Sequence, residues 1–241
     1  MLNEFTIFDK SLEELPNKKI LINTINAYSY VMTKQDLLFK ESLLHCEVLI
    51  PDGVSIVLAV KFLFGKKIKK IAGADLFYYE MNKLNKVGGK CFFLGSSQDT
   101  LDKIVLKAKN EFPKVKIGVF SPPYKPEFSN EENTEMIAQV NAFNPDVLFV
   151  GMTAPKQEKW VYTHYRKLNI NGHIGSVGAV FDFYAGKVNR APAWMINNGL
   201  EWFYRLCKEP KRLAKRYVLG NTKFVCYIFL EILKNIYHRI I

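Results

Sequence analysis

Short apolar runs alternate with longer amphipathic segments along most of the chain. An apolar run that stops at Gly, Pro or a polar residue is typical of a buried strand, and apolar residues at three- and four-residue intervals predict a helix. Strands are predicted at 19–23, 46–51, 91–95, 115–120, 146–151 and 173–178. Helices are predicted at 33–45, 54–62, 73–84 and 130–143, and further helices begin after Ser97 and at Pro155.

This order of elements determines the expected architecture. Strand and helix alternate about six times, which favours an α/β fold with a Rossmann-like, mostly parallel sheet and helices on both faces. Thr33 is expected to cap the 33–45 helix, with Asp36 in its first turn. In such open sheets ligands bind at the carboxyl ends of the strands, so the residues that follow each strand are the candidates for a functional site.

The sequence Pro51-Asp52-Gly53 ends one apolar run and immediately precedes a predicted helix. Asp is a preferred N-capping residue, so one hypothesis is that Asp52 caps this helix. The other is that its carboxylate faces a ligand at the edge of the sheet. The local sequence leaves both open.

Two other strand ends carry features of a phosphate or nucleotide site. Gly95 and Ser96 precede a helix N-terminus, where backbone N–H groups can approach an anion, although ordinary strand-to-helix turns have the same composition. The turn from Gly151 to Gln157 is a stronger candidate, because it combines a glycine, a proline-started helix, the cation Lys156 and an amide.

A third strand end contains Gly175 and Gly178, followed by Asp182 between two phenylalanines. Asp182 is interpreted as a satisfied buried carboxylate, the more common role for a lone acid between aromatic residues.

Absent motifs narrow the function. The chain has no P-loop, GxGxxG or GxSxG sequence, which disfavours nucleotide-hydrolysing, NAD-dependent and α/β-hydrolase enzymes. It also has no Asp-x-Asp, HExxH or Cys/His cluster, so neither a metal nor another cofactor is expected, and activity is predicted to survive EDTA. Scattered cysteines and the lack of a signal-peptide pattern are typical of a cytosolic protein.

Charge is concentrated at the C-terminus. Residues 201–241 hold nine Lys/Arg and three acids, so they carry +6 of the formal +11. Arg205, Lys208, Arg212 and Arg216 fall at helical spacing on one face, and aromatic residues flank them. A solvated basic face is the ordinary interpretation. The mixture of basic and aromatic residues favours instead a surface that binds an anionic amphiphile. A nucleic-acid-binding module without catalysis is the alternative.

The chain changes character after residue 193, so residues 1–193 are predicted to form the α/β core and 194–241 a helical appendage. The apolar run 224–230 is shorter than the roughly 20 residues that span a bilayer. It is compatible with an interfacial helix and equally with a core-packing or dimer helix.

Several stretches together resemble the WecG/TagA/CpsF family of glycosyltransferases. Shared motifs cover nearly the whole chain and are found at 24–26, 51–54, 72–76, 151–158, 178–186, 190–192 and 199–212. Thr153 and Ala74 stand where glycine and valine are commoner in the family.

The resemblance implies roles for particular residues. Asp52 corresponds to the proposed catalytic base, Thr24 and Asn26 to residues of the sugar site, and Gln157 to an active-site amide. The arginines at 205, 212 and 216 correspond to a face that reaches a lipid pyrophosphate.

The resemblance also implies the substrates and the location. It suggests a UDP-sugar donor, UDP-N-acetylmannosamine in known members, and an undecaprenyl-pyrophosphate-linked N-acetylglucosamine acceptor. The expected partners also include the membrane surface and a possible homo-oligomer, but no nucleic acid. The expected location is cytoplasmic, peripheral on the inner face of a bacterial membrane. Inverting transfer without a metal is the predicted chemistry.

Overall fold

The computed structural model describes residues 1–214, 217–218 and 220–240, and the side chains at 197, 212 and 236–240 lie outside this description. Within these residues, one parallel sheet of six strands has the order β2-β1-β6-β5-β3-β4. The strands are β1 (Ile20–Ile25), β2 (Val48–Pro51), β3 (Lys90–Gly95), β4 (Lys116–Phe120), β5 (Val147–Gly151) and β6 (His173–Ser176). The predicted Rossmann-like α/β fold is confirmed.

Helices surround the sheet. They are α1 (Ala27–Met32), α2 (Leu37–Leu44), α3 (Val54–Phe64), α4 (Gly73–Val87), α5 (Gln98–Glu111), α6 (Asn130–Phe143), α7 (Lys156–His164), α8 (Val180–Tyr184), α9 (Ala193–Asn197), α10 (Glu201–Lys208), α11 (Pro210–Ala214) and α12 (Gly220–Ile240). Short 3-10 turns at Leu2–Glu4, Leu12–Glu14 and Tyr165–Lys167 complete the regular structure of the described residues.

The helix predicted at 33–45 is present as α2, but it begins at Leu37 with Asp36 as its cap, so the predicted start is wrong. Helix α1, at 27–32, was not predicted. Each of the two helices has its own capping residue. The Asn26 side chain accepts a hydrogen bond from the Ser29 amide at the start of α1, and the Asp36 side chain accepts one from the Phe39 amide at the start of α2. Thr33 is the C-cap of α1 rather than an N-cap.

The sheet is buried on both faces, as a parallel sheet requires. Ile20 and Ile22 of β1 point into one apolar cluster, which contains α4, α5 and α8, whereas Leu21 points into the other, which contains α6 and α7. This alternation fixes the orientation of every strand, since a shift of one residue would reverse the two faces.

The C-terminal helix α12 packs against α1 and α3. Phe224 and Ile228 are buried in the same apolar cluster as Ile56 and Val60 of α3. Glu231, also buried, accepts hydrogen bonds from the Leu2 amide at 3.0 and 2.9 Å. Helix α12 is therefore packed onto the core, and the assignment of 194–241 as a separate domain stays a prediction.

In the described part of the chain, no helix has both the length and the hydropathy needed to cross a bilayer. All six strands run the same way, so their carboxyl ends lie along one edge of the sheet. The residues that follow them are therefore brought together.

Candidate active site

A cavity of about 1540 Å³ opens along the carboxyl edge of the sheet. It is larger than the roughly 300–1,000 Å³ of ordinary small-molecule pockets, so it has room for two substrates. Residues at or just beyond the ends of β1 to β6 line it, and α3, α10 and α12 contribute further walls. Most of the site residues predicted from the sequence line this cavity, namely Thr24, Asn26, Asp52, Ser96, Gly151, Lys156, Gln157 and Arg205.

Asp52 is held at the cavity by its backbone. Its amide donates a hydrogen bond to the Ile25 carbonyl at 2.9 Å, which continues the β1–β2 ladder by one residue. Gly53 occupies the N-cap position of α3 with a φ of +127°, and α3 has no side-chain cap. The capping hypothesis for Asp52 is therefore wrong, because the chain turns one residue later than a cap would need. The Asp52 side chain accepts no hydrogen bond from the described residues.

The surroundings of Asp52 change its acidity. Burial is the largest effect, and together with the nearby negative charge of Glu201 it raises the pKa of Asp52 to about 6. The cations Lys70 and Arg205 oppose this shift. A carboxylate with this pKa is still ionised at neutral pH but is a stronger base than an ordinary aspartate.

A cluster of ion pairs stands beside Asp52. The Glu201 carboxylate lies 3.8 Å from the Lys70 ammonium and accepts a hydrogen bond from Arg190 Nε at 3.3 Å. Lys70 reaches this position because the next residue, Ile71, donates its amide hydrogen to the Pro51 carbonyl at 3.1 Å. No local sequence pattern indicates a role for Lys70, Arg190 or Glu201, since only tertiary contacts bring them to Asp52.

Thr24 and Asn26 both lie at the end of β1 and line the cavity. Asn26 Oδ1 accepts the Ser29 amide hydrogen bond at 3.0 Å, so part of its side chain caps α1. Helix capping accounts for the side-chain oxygen of Asn26. The contribution of Asn26 to a sugar site stays a prediction, as does that of Thr24.

Gly95 and Ser96 differ in what they contribute. Ser96 lines the cavity and has a φ of +62°, which is uncommon for a residue with a side chain. Gly95 is buried behind it, and a Cβ there would lie 2.6 Å from the Gly151 carbonyl oxygen. The structure therefore explains Gly95 by the close approach of β3 and β5, and Gly95 is not among the residues that line the cavity.

The turn from Gly151 to Gln157 forms the opposite wall. A Cβ at Gly151 would lie 2.4 Å from the Phe181 ring, so only glycine fits. Gln157 is buried, and its Oε1 accepts a hydrogen bond from the Met152 amide while its Nε2 donates to Glu158. Gln157 thus holds the shape of this turn.

Lys156 begins α7, as the proline-started helix predicted. Its ammonium donates a hydrogen bond to the Lys125 carbonyl and lies 3.4 Å from the centroid of the Phe128 ring. Burial lowers the pKa of Lys156, although Glu132 opposes the shift. Lys156 therefore holds the proline-rich loop, residues 121–126, at the cavity, and direct contact with phosphate remains a prediction.

Arg205 lies in the cavity wall on α10, with its guanidinium 5.3 Å from the centroid of the Phe183 ring. Its Nε is buried and has no hydrogen-bond partner among the described residues, so it can donate to a ligand. Arg212 lies on α11 with a side chain outside the description, and Arg216 lies outside the described residues.

The expectation that Asp182 is a buried carboxylate is wrong. Asp182 is partly exposed and lines the cavity, whereas the sequence indicated a buried carboxylate. Helix α8 is short and ends at the rim, so its neighbours Phe181 and Phe183 do not cover it on both sides. Within the described chain, no three His, Cys, Asp or Glu side chains form a cluster that could hold a metal ion.

Comparisons with known proteins identify the family. The glycosyl transferase WecG/TagA/CpsF family matches the chain over residues 4–237. A relative from Bacillus subtilis (strain 168), the N-acetylglucosaminyldiphosphoundecaprenol N-acetyl-beta-D-mannosaminyltransferase, is 32% identical over 211 residues, which cover 88% of this chain and 79% of the relative.

A protein of the same name from Bacillus spizizenii (strain W23) is 30% identical over 227 residues, covering 92% of this chain and 85% of the relative. A non-catalytic binding module, the alternative raised by the basic C-terminus, is therefore not supported. The chain belongs to the WecG/TagA/CpsF family and is a glycosyltransferase.

Proposed function

We propose that this protein transfers N-acetylmannosamine, or a related hexose, from a UDP-sugar to a polyprenyl-diphosphate-linked N-acetylglucosamine in the synthesis of a cell-surface polymer. Both relatives carry names that describe this sugar and this kind of acceptor. The UDP donor rests on the family resemblance. The observation that carries the proposal is the position of Asp52, a carboxylate without a hydrogen-bond partner among the described residues, in one cavity with the 151–157 turn and Arg205.

Asp52 is the general base of the proposed reaction. Its carboxylate takes the proton of the acceptor hydroxyl while that oxygen attacks the anomeric carbon of the donor. The bond from the anomeric carbon to the diphosphate breaks, and UDP leaves from the opposite face, so the configuration inverts. General-base catalysis of this kind contributes about 10²–10⁴-fold. The raised pKa of Asp52 suits this task, because the group is ionised at neutral pH and is unusually basic.

The departing UDP and the acceptor diphosphate both carry negative charge. The cavity lining includes Lys70, Arg190 and Arg205 beside the base, and also Lys156 and Lys187, of which Lys187 contacts Ser97. Positive groups fixed before the reaction stabilise developing charge without reorganising. We assign the cations beside Asp52 to the acceptor diphosphate, because they lie on α10 or pair with its Glu201, and the other two to the donor.

The appendage at 194–241 is assigned to the lipid side of the reaction. Helix α12 buries Phe224 and Ile228 but leaves Val225 and Phe229 63% and 59% exposed. Exposed apolar residues beside the cavity are suited to contact with a lipid-linked acceptor at the inner face of the cell membrane. The same surface is also suited to contact with a second copy of the chain. A sedimentation measurement of the oligomeric state distinguishes this from contact with lipid.

The test is to incubate the protein with a panel of UDP-sugars and a short-chain lipid-diphosphate N-acetylglucosamine, and to weigh the product. We expect one added sugar, with UDP-N-acetylmannosamine as the preferred donor. Asp52→Asn is the control and should give no product above background. Failure of every donor with a folded protein, or equal product from Asp52→Asn, would contradict the proposal.

A further inference from the structure

The outward side of α3 is apolar, although it faces away from the core. Leu58 is 44% exposed and Phe62 is 68% exposed, and Val54 lies one turn before them on the same side. The opposite side of α3 is buried. A surface helix ordinarily presents polar residues to solvent, so an outward row of apolar residues indicates a contact with another apolar phase.

Lysines surround the far end of this row. Residues 53–74 contain five lysines and no acidic residue. Lys61, Lys66, Lys67 and Lys69 are exposed, and of these Lys66 lies 3.8 Å from Asp9. Apolar side chains bordered by lysines are typical of surfaces that contact anionic lipid, because each lysine is attracted by the headgroups while the apolar residues enter the interface.

This surface is continuous with the mouth of the cavity. Leu58 and Phe62 line the same cavity as Asp52, and so do Val225 and Phe229 of α12. The cavity that contains the candidate base therefore has exposed apolar residues of both α3 and α12 in its wall. Those of α3 belong to the α/β core and those of α12 to the appendage.

We propose that the outward side of α3 (Val54, Leu58 and Phe62) and the lysines at 61, 66, 67 and 69, together called the α3 basic face, form a second membrane-contacting surface. This surface belongs to the core, so membrane contact does not depend on the appendage alone. The inference rests on the proposed function, because a lipid-linked acceptor is what the cavity would admit. The occupant is an anionic bilayer rather than a second copy of the chain, since a like-charged lysine cluster would face its own copy across a symmetric interface.

The experiment is flotation of the full-length protein with vesicles of phosphatidylcholine, with and without phosphatidylglycerol. The triple variant Lys66→Gln, Lys67→Gln and Lys69→Gln should bind the anionic vesicles at least about tenfold more weakly, and the neutral vesicles as before. The matched control, Lys109→Gln, Lys114→Gln and Lys116→Gln, removes the same charge from the opposite edge of the sheet. It should bind within about twofold of the unmodified protein.

The apolar part is tested by Phe62→Ser, which should weaken binding to both kinds of vesicle. Leu106→Ser on α5, at a residue 67% exposed, is its control and should bind normally. Normal binding by either the lysine variant or Phe62→Ser would overturn the proposal. A change from dimer to monomer in Phe62→Ser, with unchanged vesicle binding, would instead assign the surface to self-association.

Activity separates this inference from the proposed function. None of the three substituted lysines lines the cavity, so the lysine variant should glycosylate a short-chain, water-soluble acceptor at the normal rate. Loss of vesicle binding in a protein that transfers no sugar to any acceptor would leave the membrane surface supported and the proposed reaction contradicted. If the protein transfers sugar and the lysine variant binds vesicles normally, the proposed reaction is supported and the membrane surface is contradicted.

Discussion

The side chain of Gln157 is fixed to the backbone of Met152, whose amide donates a hydrogen bond to Gln157 Oε1 at 3.1 Å. The other end of the same side chain donates to Glu158 at 2.8 Å. The amide group therefore ties the residue after β5 to the first turn of α7. This contact gives the wall of the cavity its shape.

Gln157→Glu should lower both stability and activity. A glutamate cannot donate to Glu158, and it places a second negative charge in a buried site. We expect the free energy of unfolding to fall by about 1–3 kcal/mol, measured by urea denaturation, and turnover to fall at least about tenfold. Gln139→Glu, at an exposed position of α6, is the control and should change stability by less than about 0.5 kcal/mol. An unchanged urea midpoint for Gln157→Glu would argue against this role.

Asp52→Asn should abolish sugar transfer without unfolding the protein. Asparagine cannot accept the hydroxyl proton, and the native carboxylate has no hydrogen bond from the described residues to lose. Since its pKa is raised to about 6 in the folded protein, the folded state retains a proton that the unfolded state has already released between about pH 4 and pH 6. Stability therefore falls as pH rises through this window.

The variant lacks this dependence, so at neutral pH it should be more stable than the unmodified protein by about 1–3 kcal/mol. Thermal unfolding measured at pH 4 and pH 7.5 checks the sign. Full activity in a folded Asp52→Asn protein would remove Asp52 as the base.

The pH dependence of kcat/KM should report on Asp52 and its neighbour Glu201. Activity requires the ionised carboxylate, so it should fall about tenfold per unit below pH 6. Glu201→Gln removes a negative charge that raises the pKa of Asp52, and the acidic limb should move to lower pH. Glu135→Gln on the exposed side of α6 should leave the profile unchanged. A limb that stays in place in Glu201→Gln would show that Glu201 does not influence the base.

Glu231→Ala should loosen the C-terminal helix. The substitution leaves the buried Leu2 amide without its acceptor, which should cost about 1–3 kcal/mol of stability. Amide hydrogen exchange in residues 220–235 should quicken, and transfer should slow because α12 lines the cavity. Glu135→Ala is the matched control. Unaltered exchange in α12 would indicate that apolar packing alone holds the helix.

Deletion of residues 194–241 should give a nearly inactive protein. The deletion removes Trp202, Arg205 and the α12 wall from the cavity. It also exposes the apolar cluster that Phe224 and Ile228 cover, so the melting temperature should fall as well. Membrane association that persists after the deletion would agree with the α3 basic face, and normal turnover would contradict the role of the appendage in the site.

The sequence predicted the bounds of a helix correctly where residues at both of its ends are start and stop signals. Helix α6 spans Asn130–Phe143 as predicted, because the Ser129 cap starts it and Asn144 ends it in a left-handed conformation. Helix α1 was missed, since Asn26 follows a strand and its capping role depends on the Ser29 partner. The parallel sheet itself followed from the alternation of elements.

The candidate site was predictable only where it follows a strand. Asp52, Ser96 and the 151–157 turn each lie directly after one, so the parallel arrangement brings them together. Arg190 and Glu201 lie in motifs shared with the family and Lys70 lies in none, but no local pattern indicates that the three meet at Asp52. Their convergence depends on contacts such as the Ile71 amide with the Pro51 carbonyl, which no short-range pattern encodes.

The bond between the Leu2 amide and the Glu231 carboxylate joins residues 229 positions apart. Because synthesis proceeds from the N-terminus, this carboxylate leaves the ribosome after the whole sheet, which ends at Ser176, has been made. A nascent chain can therefore assemble its strands while the compartment around Asp52 still lacks one side. The cavity around Asp52 therefore gains its α12 wall only after all six strands have been synthesised.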